Sequence, residues 1–130
     1  MKIKLTIVYV DDQTKALRFY TEALGFVKKA DFTNGSYRWL TVASAEEPEG
    51  TELQLALNDN PAAKDYQQAL FKQGQPAVMF FTDDLQADYE RIKARGGEFT
   101  MPPTDATGSK IAKLADGCGN LIQITQLKRW

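Results

Sequence analysis

The chain has 130 residues, of which 43% are apolar and 25% charged, and a formal net charge of −1. That is the make-up of one ordinary globular domain, with neither a basic field for nucleic acid nor an acidic tail. It contains no histidine and one cysteine, which excludes zinc sites built on His, Ser-His-Asp and Cys-His catalysis, and any internal disulfide.

Any general acid or base must therefore be Asp, Glu, Tyr, Lys or Cys. No apolar run approaches the roughly 18 residues needed to span a bilayer. Met1-Lys2-Ile3-Lys4 leads directly into a strand pattern, without the apolar segment of a signal peptide. A lone Cys118 fits a reducing compartment, so the expected location is the cytoplasm, with no membrane or nucleic-acid partner. The closing Lys128-Arg129-Trp130 reads as a frayed, solvated end.

Residues 3–10, IKLTIVYV, read as a strand. Asp12 is placed to cap a helix from Gln13 to Leu24, whose Ala16, Leu17, Tyr20, Ala23 and Leu24 share one face, and Gly25 follows as its stop. Phe19 and Tyr20 are expected in the core and at a dimer contact. Strands at 26–33 and 36–44 flank a turn at Asn34-Gly35, and another strand covers 51–57, TELQLAL. "NDNP" (58–61) breaks the pattern, and 62–73 form a short helical or irregular connection ending at Gly74. A strand at 76–82 then leads to Asp84, which caps a helix burying Leu85, Tyr89 and Ile92 and ending at Gly96-Gly97. Strands at 97–101, 109–115 and 119–127 complete the chain, with "MPPTDATG" (101–108) as a loop.

The second half repeats the first. Asp11, Asp12 and Gly25 match Asp83, Asp84 and Gly97 at an offset of 72. Further on, Gly50, Leu53, Gln54 and Leu55 match Gly119, Ile122, Gln123 and Ile124 at an offset of 69. Two anchor sets with a small deletion between them indicate duplication. Module 1 then spans about residues 1–60, the connection about 61–74 and module 2 about 75–130, all in one domain. Strand alternation turns Leu53, Leu55, Ile122 and Ile124 toward the helices. Leu5, Ile7, Tyr9, Glu52, Gln54, Ala77, Met79, Phe81 and Gln123 take the other face. With pseudo-twofold packing, Gln54 and Gln123 would look at each other across a shared hollow. Tyr37 and Trp39 share a face of their strand, and Arg38 takes the opposite one. Asp11-Asp12 and Asp83-Asp84 sit at strand–helix junctions and read as caps, and Cys118 as a turn residue.

"IVYVDDQTKALRFYTEALGF" (7–26), "FFTDDLQADYERIKARGG" (80–97) and "LADGCGNLIQITQ" (114–126) together resemble the vicinal oxygen chelate superfamily, which holds glyoxalase, the bleomycin and fosfomycin resistance proteins and the extradiol dioxygenases. The resemblance implies an α+β fold of two tandem βαβββ modules, forming a U-shaped mixed sheet around a cleft with helices on the outer face, commonly as a homodimer. It also implies where a metal would bind: seven residues before each capping Asp, at Leu5 and Ala77, and at Gln54 and Gln123. Two of these side chains carry no donor atom and two are neutral amides, so no metal and no cofactor are expected. Glu52, two residues from Gln54, is the one nearby carboxylate. The expected function is metal-free binding of an amphipathic or aromatic small molecule between the modules. The expected ligand contacts are Leu5, Ile7, Tyr9, Tyr37, Trp39, Glu52, Gln54, Ala77, Met79, Phe81 and Gln123. The alternatives are an enzyme of the same fold, lyase- or dioxygenase-like, using Glu52 in an atypical metal site or Tyr9 or Glu52 as acid or base, and an assembly module with a filled cleft.

Overall fold

A computed structural model describes residues 1–128, so Arg129 and Trp130 of the expected frayed end lie outside the described residues. In chain order the elements are β1 (Leu5–Val10), α1 (Gln13–Arg18), β2 (Val27–Asn34), β3 (Tyr37–Ala43), β4 (Glu52–Leu57), α2 (Pro61–Lys72), β5 (Val78–Phe81), α3 (Leu85–Ala94), β6 (Glu98–Ala106), β7 (Ser109–Ala115) and β8 (Leu121–Leu127). This is an α+β fold of two βαβββ modules. Hydrogen bonding divides the strands into two four-stranded sheets of the same order, β1-β4-β3-β2 and β5-β8-β7-β6. In each, the first strand runs parallel to the last, and the remaining pairs are antiparallel.

Both helix starts form as their sequence dictates. The Asp12 carboxylate accepts from the Lys15 N–H and the Asp84 carboxylate from the Ala87 N–H. One Asp of each pair, Asp12 and Asp84, thus serves as a cap, while Asp11 forms an ion pair with Lys15 at 3.6 Å. The first helix departs from the simple 3.6-residue pattern. After Arg18 it widens into a π-helical turn over Phe19–Ala23, in which the Leu24 N–H donates to the Phe19 carbonyl. The wider turn buries both Tyr20 and Ala23.

Of the two forms expected for the connection at 62–73, the helical one is found: a helix of 12 residues, capped by Asn60 with Pro61 in its first turn. Two expectations are corrected. Residues 101–106 continue β6 rather than looping out. β6 is an edge strand, its register shifts twice around Pro102-Pro103, and prolines are tolerated at such positions. The first hairpin turns at Gly35-Ser36, because Asn34 pairs with Tyr37.

The core faces of both sheets and both module helices feed one cluster. Val8, Val10, Leu40, Val42, Leu53 and Leu55 come from the first sheet, Ala112, Leu114, Ile122 and Ile124 from the second, and Ala16, Tyr20, Leu85 and Ile92 from the helices. The module helices also touch: the Arg91 guanidinium donates to the Ala23 and Leu24 carbonyls at 3.0 and 3.3 Å. Phe26 meets Phe80 edge-on at 4.9 Å. Tyr20 is fully buried, and its hydroxyl donates to Asp116 of module 2 at 2.8 Å. Its expected place in the core is correct, but a ring with no exposed surface cannot be a dimer contact. Phe19 packs partly buried against the same cluster. No helix among the described residues is long and apolar enough to cross a membrane.

Candidate ligand-binding site

With the core faces turned inward, the opposite faces carry the candidate residues. In module 1 the parallel register sets Leu5 beside Glu52, Ile7 beside Gln54 and Tyr9 beside Ala56. β3 adds Thr41 next to Gln54, and Phe32 of β2 stands opposite Trp39. β3 and β4 pair only over Thr41–Ala43 and Glu52–Gln54. Where the ladder stops, the Gln13 amide bridges the strands, donating to the Arg38 and Leu55 carbonyls at 3.0 and 2.9 Å. Beyond that break, the Tyr37 hydroxyl comes within 3.2 Å of the Gln54 amide nitrogen and accepts its hydrogen bond. The Thr41 hydroxyl donates to Glu52 Oε1 at 2.7 Å. Gln54 is buried, while Ile7, Phe32 and Tyr37 are 48%, 61% and 55% exposed. The result is an aromatic and apolar face with a buried amide and a carboxylate set into it.

Arg38 faces away from this surface, as alternation predicts. It grips Asp31 through two bonds of 2.9 Å and also donates to Thr14. The guanidinium hydrogen bonds hold the Asp31 carboxyl below its ordinary range. That ion pair occupies Arg38 outside the site.

In module 2, Met79 lies beside Gln123 and Phe81 beside Thr125, and Val78 pairs with Ile122 just after Ala77. The Gln123 amide donates to Thr125 Oγ1 at 3.1 Å and contacts Met79 Sδ at 3.8 Å. The two glutamine amides thus take partners within their own sheets rather than bonding each other. Glu52 and Met79 do come together across the modules. With Thr6, Leu53, Val78 and Phe80 they help line a cavity of about 200 Å³. Sequence reasoning overlooked Thr41 and Lys113. The register sets Thr41 beside Gln54 and Lys113 beside Gln123, and the offset of the repeat was the signal that would have found them.

The four positions implied for a metal do not fit one. Leu5 and Ala77 offer no donor, and Gln54 and Gln123 offer neutral amides already hydrogen-bonded. Among the described residues, no three His, Cys, Asp or Glu side chains gather as a ligand set.

Cys118 is not a nucleophile. It is fully buried, and burial, aided by the Asp116 charge, pushes its thiol up to about 12. Burial and Asp116 raise the Tyr20 phenol as well. The fold holds both groups protonated. The thiol's contribution to stability is whole below its ordinary 9.0 and is lost as pH climbs toward about 12. Two results are expected. Iodoacetamide at pH about 8 should label native protein on the order of 100-fold more slowly than unfolded protein. The melting temperature should fall in alkali, and Cys118→Ala should reduce that fall. Rapid native labelling would contradict the buried placement.

Comparison with known proteins agrees with this fold. The model of the Glyoxalase/Bleomycin resistance protein/Dioxygenase superfamily matches residues 2–124. The uncharacterized protein YurT of Bacillus subtilis is 50% identical over 126 residues, covering 97% of this chain and 99% of that protein. A probable lactoylglutathione lyase of Vibrio cholerae is 28% identical over 132 residues, covering 98% of this chain and 92% of that protein. Among solved structures, TnmS3, an antibiotic binding protein from Streptomyces sp. CB03234, superposes with a TM-score of 0.78 at 30% identity, covering 98% of this chain and 97% of that one. The chain belongs to the Glyoxalase/Bleomycin resistance protein/Dioxygenase superfamily.

Proposed function

We propose that this chain is a metal-free, cytoplasmic binding protein that holds an amphipathic or aromatic small molecule on its module faces. The observation that carries the reading is the module 1 face: a buried Gln54 amide, oriented by the Tyr37 hydroxyl, amid exposed apolar and aromatic side chains. Small-molecule sites combine such walls with a few fixed polar groups. The likeness to an antibiotic binding protein supports it, as does the lack of metal donors at the superfamily's ligand positions. We place the protein in a homodimer. Ile7, Phe32, Tyr37, Met79 and Phe81 are all 45% or more exposed on the two faces, and surface of this kind marks an interaction site.

Titration with a panel of aromatic and amphipathic compounds, aromatic antibiotics included, tests this through indole emission. Trp39→Phe should abolish the ligand-dependent change. Gln54→Ala should weaken binding about tenfold, as expected for losing one fixed polar contact in an apolar wall. A panel without a binder would overturn the reading. Turnover of a bound compound, lost on replacing Tyr9 or Glu52, would replace it with an enzyme of the same fold.

A further inference from the structure

The two modules have diverged at matched positions. Where module 1 carries Thr41, Glu52 and Gln54, the repeat gives module 2 Lys113, Leu121 and Gln123. The carboxylate of Glu52 is therefore an addition to one face and no part of the shared scaffold. Glu52 is partly buried, and among the described residues it forms no ion pair. Oε1 takes the Thr41 hydroxyl, and no hydrogen bond from a described residue reaches Oε2. Glu52 is also the one charged residue lining the cavity of about 200 Å³, whose other walls set Phe26, Val78 and Phe80 beside Thr6, Ser44 and Thr51. A partly buried carboxylate with one oxygen unbonded and no counter-charge beside it can take a charge-assisted hydrogen bond from a cationic partner.

From these observations the geometry points to Glu52 as the recognition point for a positively charged head group, an ammonium or amidinium, on a ligand whose apolar or aromatic body lies along the module 1 face. The inference rests on the reading of that face as the ligand site and adds the ligand's charge and polarity. Thr41 is a positioning residue: its hydroxyl fixes one carboxylate oxygen and leaves the other for the ligand. The register gives the ligand a length. Leu5 is paired with Glu52 and Tyr9 with Ala56, so the Tyr9 ring stands four residues along β1 from the carboxylate, about 13 Å at the rise of a strand. A rod-like molecule with a cation at one end and a ring at the other spans that distance.

Dansylcadaverine has this form, and its N-acetyl derivative keeps the body without the charge. Fluorescence titration of both probes against the native protein and against Glu52→Gln, which keeps the side-chain shape, tests the inference. The native protein should bind the ammonium probe about tenfold or more tightly over the acetylated one. Glu52→Gln should remove that difference, so that both probes bind with the same affinity. Thr41→Val, which frees the carboxylate to rotate, should reduce the preference for the ammonium probe over the acetylated one. Equal binding of both probes by the native protein would overturn the inference while leaving the small-molecule reading in place. So would a preference that survives Glu52→Gln. Failure of both probes to bind would overturn the inference, and the reading would then stand or fall on its own compound panel.

Discussion

Replacing Asp116 by alanine is expected to destabilise the fold by about 3–5 kcal/mol, the scale for uncovering buried donors to a charged acceptor. The carboxylate is 2% exposed and takes four hydrogen bonds. Oδ1 accepts the Cys118 and Asn120 N–H groups at 2.7 and 3.0 Å, which shapes the β7–β8 turn. Oδ2 accepts the Tyr20 hydroxyl and the Asn120 amide, each at 2.8 Å. Alanine would strand all four donors, with the Tyr20 hydroxyl and its lost partner both buried. Tyr20→Phe removes one donor and leaves the acceptor three, so it should cost only about 1–2 kcal/mol. Urea unfolding of both variants checks the order. Equal midpoints, or an Asp116→Ala protein as stable as the parent, would show that this carboxylate does not tie the modules together.

Gln67→Ala should cost about 2–3 kcal/mol, the range for breaking a buried hydrogen-bond cluster, with a local signature that the Asp116 variant lacks. Gln67 is the one buried residue of α2. Its amide nitrogen donates to the Tyr9 carbonyl at 2.8 Å, the Cys118 carbonyl at 3.1 Å and Asn120 Oδ1 at 3.2 Å, and its oxygen accepts from Asn58 at 2.6 Å. One side chain thus pins a mostly exposed helix to the end of β1 and to the β7–β8 turn. Gly119 leaves room for it. Its φ is +103°, and a Cβ there would lie 2.8 Å from the Gln67 amide nitrogen. Hydrogen exchange in Gln67→Ala should accelerate across residues 61–72 well below the denaturation midpoint. Unchanged protection there would mean that α2 is held by something other than this amide.

The modules were legible because their punctuation is local and chemical. Asp12 and Asp84 cap as their side chains require, and Gly25 and Gly96 stop the helices at positive φ. The faces were legible through alternation, which put Arg38 opposite Tyr37 and Trp39 and set Glu52 and Gln54 together on one face of β4. What local pattern did not show depends on distant partners. Tyr20 and Asp116 are 96 residues apart, and nothing near either announces the other. The Gln54–Tyr37 contact requires the β3–β4 ladder to stop, which Gln13 arranges from the start of α1. α2 read as a connection because its one buried residue is polar, so its apolar pattern is weak. The prolines of 101–106 pointed to a loop because their tolerance depends on β6 lying at an edge, a property of the sheet and not of the segment.

Ligand binding as proposed needs no metal, because Leu5, Gln54, Ala77 and Gln123 do not make a donor set for one. The most direct test is to run the Trp39 titration of an identified ligand on chelator-treated protein and again with zinc, nickel or manganese added. The same affinity is expected throughout. Loss of binding on chelation, restored by one equivalent of metal, would contradict it.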